Sequence, residues 1–246
     1  EYGDTNPDTR LKVSLTGRNP DEGISMIPYV KGYAFLRVIE NAVGREKFDV
    51  FIKNYFDAHA FKSITTDDFI KYFNENLIKG DKALADKIKL EDWIFKPGIP
   101  SNITPVSSAD FDAIDKIQKS WRETGVKGLS QKITTTTEKQ HFIDHLPTDI
   151  TPKEMEALDK EFNFTNGGNF IIKRQWFVQA IRHQYKAANP AIEQFLIGSS
   201  RTGSVMMLYK EMVKTPEGKV WANQIFNKAK SGYHATTIQD IKGTLK

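Results

Sequence analysis

Apolar residues recur along most of the chain at the spacing of one helix face. Phe35, Val38, Ile39 and Ala42 stand at i, i+3, i+4 and i+7, and Gly44 closes that run. Phe48, Phe51, Ile52, Tyr55 and Phe56 mark a second helix. A third is predicted after "SITTDDF", where Thr65 and Asp68 hold capping-box spacing ahead of Phe69, Tyr72, Phe73, Asn76 and Leu77. The exception is "TRLKVSLT", residues 9–16, in which Leu11, Val13 and Leu15 alternate with polar residues as in a short strand.

The stretch "WIFKPGIPSNITPVSS", residues 93–108, carries three prolines, a glycine and a cluster of small polar residues, and reads as a boundary. It places a first domain at 1–98, a linker at 99–107 and a second domain at 108–246. The second helical series opens with Phe111, Ile114, Ile117 and Trp121. Three later helix starts pair a capping side chain with proline at the first helical position: Thr151-Pro152, Asn189-Pro190 and Thr215-Pro216. Helices of about 12 to 20 residues with short connections predict stacked helix pairs, as in an α-solenoid, although no repeat of fixed length is present. "FTNGGNF", residues 164–170, lacks G-x-G-x-x-G spacing and a preceding strand, so it reads as a helix-to-helix connection.

Composition narrows the class further. A chain of 246 residues suits one and a half or two domains, and 39% hydrophobic with 27% charged residues describes a soluble globular protein with a sizeable core. No apolar run approaches the roughly 18 residues of a membrane span, and the first residues lack a signal-peptide profile. The chain starts with Glu rather than Met, which suggests a piece of a longer polypeptide. The absence of cysteine excludes disulfides, thiolate zinc sites and cysteine nucleophiles. A net charge of +4 with dispersed lysines argues against a nucleic-acid partner.

Candidate chemistry is sparse. In "HFIDH", His141 and His145 lie four apart, as helix-borne zinc ligands do, but Phe142 stands where the metalloprotease motif has its glutamate. A solvated or capping role is expected for both, and no metal site is assigned to this chain. His59, His183 and His234 are isolated. Arg201, in the turn "GSSRTGS" between two apolar helices, either grips a carboxylate bidentately or is a plain surface arginine. Tyr29 follows Pro28 at the start of an apolar helix, where its phenol is free to face a cleft.

"GISMIPYVKGYAFL", "KSITTDDF" and "WIFKPGIP" occur in the order and approximate spacing of the zinc aminopeptidases of the gluzincin class, and "NFTNGGNFIIKRQWF" and "SSRTGSVMMLYKEM" extend the match through the second half. The chain most closely resembles the leukotriene hydrolase and aminopeptidase-B-like branch. The resemblance implies an all-α chain: the helical half of a thermolysin-like catalytic domain, followed by a HEAT- or armadillo-like α-solenoid. It implies that Tyr29 is the catalytic tyrosine, donating a hydrogen bond to the oxyanion formed when zinc-bound water attacks the scissile carbonyl. Asp21 matches an acidic residue that positions substrate, although an aspartate after Pro20 is also an ordinary turn or capping residue. Arg201 matches the arginine that binds the free carboxylate of the substrate.

Two departures bear on substrate. Ile24 replaces a second tyrosine and Gly203 replaces a lysine, which weakens lipid-epoxide chemistry, removes one carboxylate partner and favours peptide hydrolysis. The His-Glu-x-x-His motif, its downstream glutamate and the Gly-x-Met-Glu-Asn segment that reads the substrate amine are all missing from this sequence. Zinc is therefore expected in a complete enzyme and not on this chain, which alone is expected to be inactive. The implied partners are a peptide substrate and the remainder of a parent polypeptide carrying the zinc site, with the cytoplasm favoured over periplasm or secretion. The rival reading is a non-catalytic helical-repeat scaffold that binds peptides or proteins; a pseudoenzyme without zinc is a third.

Overall fold

The computed structural model describes residues 3–18 and 23–246. The chain divides into two compact units, with the division between Val106 and Ser107. In the first unit, α1 (Ile27–Val43) starts with Pro28 in its first turn and buries Lys31, Phe35, Val38 and Ile39. Gly44, at φ +85°, stops it and leads directly into α2 (Arg45–Ala58). Positive φ costs glycine little, so the turn needs no further residue. The third helix, α3 (Thr66–Phe73), has the expected capping box, with Asp68 donating its N–H to Thr65 Oγ1 at 3.2 Å and accepting the Thr65 N–H at 2.8 Å. A π turn (Asn74–Ile78), α4 (Lys82–Ile88) and α5 (Leu90–Phe95) complete this unit.

Its core is aromatic. Phe35 stacks on Trp93 at 5.6 Å between ring centroids, and Phe51 meets Phe73 edge-on at 6.0 Å. The start of the Pro-rich stretch is thus core: Trp93 and Ile94 are buried in α5, and the indole N–H donates to Asn102 Oδ1 at 3.0 Å. Asn102 in turn donates to the carbonyls of Lys87 and Ile88, at 2.9 and 3.0 Å, and ties the irregular segment back to α4. The strand expected at residues 9–16 does not form. Pro7–Thr9 is a 3-10 turn, residues 11 and 12 form bends, and residues 13–15 have no regular structure; Lys12 N–H donates to Ile94 O at 3.0 Å and Leu15 O accepts the Arg18 N–H at 3.0 Å. Alternation buries one side of a segment, but a strand also needs a ladder, and none is present among the described residues.

The second unit contains α6 (Ala109–Thr124), α7 (Leu129–Lys132), α8 (Thr136–Asp144), α9 (Pro152–Phe162), α10 (Phe170–Arg182), α11 (Asn189–Gly198), α12 (Thr202–Met212), α13 (Pro216–Ala229) and α14 (Ala235–Leu245). Helices α6, α8, α10, α12 and α14 pack in succession, while α7 pairs with α9 and α11 with α13, the two rows of a stacked-pair fold. Thr151 and Thr215 cap α9 and α13 as their sequence predicts. Asn189 does not cap α11. A 3-10 turn (Lys186–Ala188) runs straight into that helix, so Asn189 is already helical at φ −54°, ψ −44° and Ala188 takes the capping position.

"FTNGGNF" is the α9–α10 connection, built by a buried polar network. Thr165 donates its N–H and Oγ1 to Asp159 at 2.8 and 2.6 Å and accepts the Trp176 indole N–H at 2.9 Å. Tyr185 donates to Asp159 at 3.1 Å, and burial together with that carboxylate pushes its phenol up to about 12.

Glu211 on α12 is held by Arg182 at 3.0 Å and Lys214 at 2.8 Å. Burial raises its carboxyl, and the two cations more than offset this, so it titrates below the ordinary glutamate range. Its stabilisation is therefore complete above the unfolded value near 4.5 and is lost as pH falls through the lower folded value. Glu211→Gln should cost about 1–2 kcal/mol at pH 7 in urea unfolding, at the low end for charged hydrogen bonds because both cations are partly exposed. The difference from wild type should vanish in acid, below that folded value.

Candidate functional site

The exposed face of α1 is the most chemically suggestive feature of the first unit. Tyr29 lies in the first turn, where Ile27 donates its N–H to Ser25 Oγ at 3.2 Å and Val30 donates its N–H to Met26 O at 2.9 Å. The helix period of about 100° per residue sets its direction. The buried stripe is Lys31, Phe35, Val38 and Ile39, and Tyr29, two residues before Lys31, lies about 160° around the helix from Lys31. Its side chain is 70% exposed, and among the described residues the phenol has no hydrogen-bond partner. Met26, Val30, Tyr33 and Leu36 share the exposed side, a row of large apolar groups of the kind that marks a binding or packing face.

Beneath Tyr29 lies a residue to which the sequence reading gave no role. Lys31 is 1% exposed and its ammonium donates to two backbone carbonyls, Thr9 O at 3.0 Å and Lys96 O at 2.7 Å. Burial pushes its pKa below the usual lysine range, and the nearby Arg10 guanidinium adds to the shift. A signal was present: Lys31 stands four, seven and eight residues before Phe35, Val38 and Ile39, on the buried stripe itself.

Arg201 belongs to the second unit and occupies the N-cap position of α12 without a capping side-chain bond. Its carbonyl accepts the N–H groups of Ser204 and Val205 at 2.9 and 3.1 Å, which fixes the backbone. The exposed guanidinium rests over the Phe170 ring at 5.7 Å and has no ion-pair partner among the described residues. An unpaired arginine beside the positive end of a helix is suited to an anion. A Cβ placed on Gly203 would meet nothing within 4 Å, so the backbone beside Arg201 is open at that position. Tyr29 belongs to the first unit and Arg201 to the second. Asp21 lies outside the described residues.

The histidines serve packing and capping. His141 donates from Nε2 to Asp115 at 2.7 Å and stacks on Phe111 at 4.3 Å, linking α8 to α6. His145 caps α8 by donating from Nδ1 to His141 O at 2.8 Å. Among the described residues no three His, Cys, Asp or Glu side chains gather to hold a metal ion, so the residues present do not fit a zinc site.

Residues 5–92 match the peptidase family M1 domain, and residues 134–245 match the family described as leukotriene A4 hydrolase, C-terminal. These two matches cover most of the chain and liken it to the leukotriene hydrolase and aminopeptidase-B-like branch of the M1 peptidases. It is 27% identical to a leukotriene A-4 hydrolase homolog of Botryotinia fuckeliana over 261 residues, covering 100% of this chain and 38% of that protein. It is 26% identical to a leucine aminopeptidase 2 of Coccidioides immitis (95% and 39%) and 22% identical to aminopeptidase B of Rattus norvegicus (99% and 40%). The structure of yeast LTA4 hydrolase in complex with bestatin superimposes with a TM-score of 0.82 at 22% identity, covering 99% of this chain and 43% of that one, which shows the fold. The chain thus spans about two fifths of the length of these relatives. No helix among the described residues is long and apolar enough to cross a membrane.

Proposed function

We propose that this chain is the C-terminal portion of a zinc metalloaminopeptidase that removes N-terminal residues from short peptides. The observation that carries the reading is Tyr29. In a chain of the M1 family, the tyrosine of the Pro-Tyr-x-Lys-Gly helix start is exposed, unpaired and fixed in direction by the buried stripe behind it.

In this reading the phenol O–H donates to the oxygen of the scissile carbonyl as negative charge develops there, an interaction that strengthens in the transition state. Asp21 helps to position the substrate, and the Arg201 guanidinium receives its carboxyl end. Zinc, held by the remainder of the parent polypeptide, would supply Lewis acidity and an activated water. The isolated chain is inactive because it lacks those ligands.

Aminoacyl-arylamide hydrolysis by the complete polypeptide tests this. Activity should disappear on chelation and return with zinc, and the 246-residue chain alone should show none. A complete polypeptide that binds peptides without cleaving them would replace the enzyme with a helical-repeat scaffold.

A further inference from the structure

We propose that Lys31 is the positioning residue for Tyr29, setting the rotation of α1 and hence the direction of the phenol; this rests on the functional reading above. An ammonium 1% exposed, with no carboxylate partner among the described residues, is costly to bury. A methionine would fill a similar volume without that penalty, so the charge serves something other than stability.

What it does is visible in its partners. Thr9 O belongs to the segment that precedes α1 in the chain, and Lys96 O to the turn that follows α5. The same two segments are joined beside the ammonium, where Gly98 donates its N–H to Thr9 Oγ1 at 2.8 Å and Thr9 Oγ1 donates to Asn6 O at 2.6 Å. Gly98 sits at φ +72°, and a Cβ there would lie 2.6 Å from Asp4 O, so this junction admits only glycine.

Lys31 anchors α1 to that rigid knot from the side opposite Tyr29. Apolar contacts along the buried stripe tolerate small rotations and slides, whereas two directed hydrogen bonds to fixed carbonyls do not. A slight rotation about the helix axis carries an exposed phenol off its target, and a displacement near 1 Å is enough to cost orders of magnitude in rate.

The test is a double-mutant cycle in the complete enzyme, using steady-state hydrolysis of an aminoacyl-arylamide. Lys31→Met should lower kcat about ten-fold with KM unchanged within about two-fold. In a Tyr29→Phe background the same substitution should change kcat by less than about two-fold, because there is no phenol left to misplace. Losses that multiply in the double variant, or a loss confined to KM, would overturn the proposal and leave the role of Tyr29 standing. If Lys31→Met does not fold, Thr9→Val, which loosens the knot and keeps the charge, is measured in the same two backgrounds with the same expectation at smaller size. An unchanged kcat for Tyr29→Phe alone would remove the functional reading and this proposal together, and that single arm identifies the case.

Discussion

Replacing Tyr29 by phenylalanine in the complete enzyme should lower kcat by about 100- to 1000-fold and leave KM within about three-fold. The substitution removes one oxygen from a side chain that is 70% exposed and without a hydrogen-bond partner, so folding should be undisturbed. Its effect is confined to the step at which negative charge builds on the substrate oxygen. Loss of one preorganised donor corresponds to about 3–4 kcal/mol of transition-state stabilisation. Steady-state kinetics with an unchanged thermal unfolding curve would establish this, and a kcat within about two-fold of wild type would refute it.

The second large effect is expected at Arg201. Arg201→Ala should raise KM for tripeptides by roughly 10- to 100-fold, the range of a charged hydrogen-bonded pair, while an arylamide substrate without a carboxylate should change little. The guanidinium is free for this role because its contact among described residues is the Phe170 ring at 5.7 Å, not a carboxylate. Equal effects on both substrates would show that Arg201 holds the local structure of α12 and does not read the substrate.

Local signals along this chain are strong wherever a short-range bond decides the structure. The capping box at Thr65, the proline-led starts of α9 and α13 and the glycine stop after α1 are all legible because each depends on residues at most four apart. The failures have the opposite character. Asn189 has capping chemistry, but the preceding turn has already entered helical dihedrals. Leu11, Val13 and Leu15 alternate correctly yet find no ladder partner among the described residues. Trp93 opens the proline-rich boundary stretch, and no local pattern shows that it packs in an aromatic core against Phe35, 58 positions earlier.

The candidate site divides in the same way. Tyr29 and Arg201 stand out by position, at a proline-led helix start and in a turn between two apolar helices, but their roles rest on motif resemblance. Lys31 was within the same motif, and its break in the apolar stripe was readable. Its purpose was not, because both of its partners are backbone carbonyls far along the chain.

The most direct measurement is the intact mass and peptide map of the native polypeptide containing this chain. The expected result is a mass well above 28.0 kDa, with a His-Glu-x-x-His peptide and its downstream glutamate N-terminal to Glu1. A native polypeptide without that motif would leave Tyr29 no zinc site to act beside and would contradict the aminopeptidase assignment.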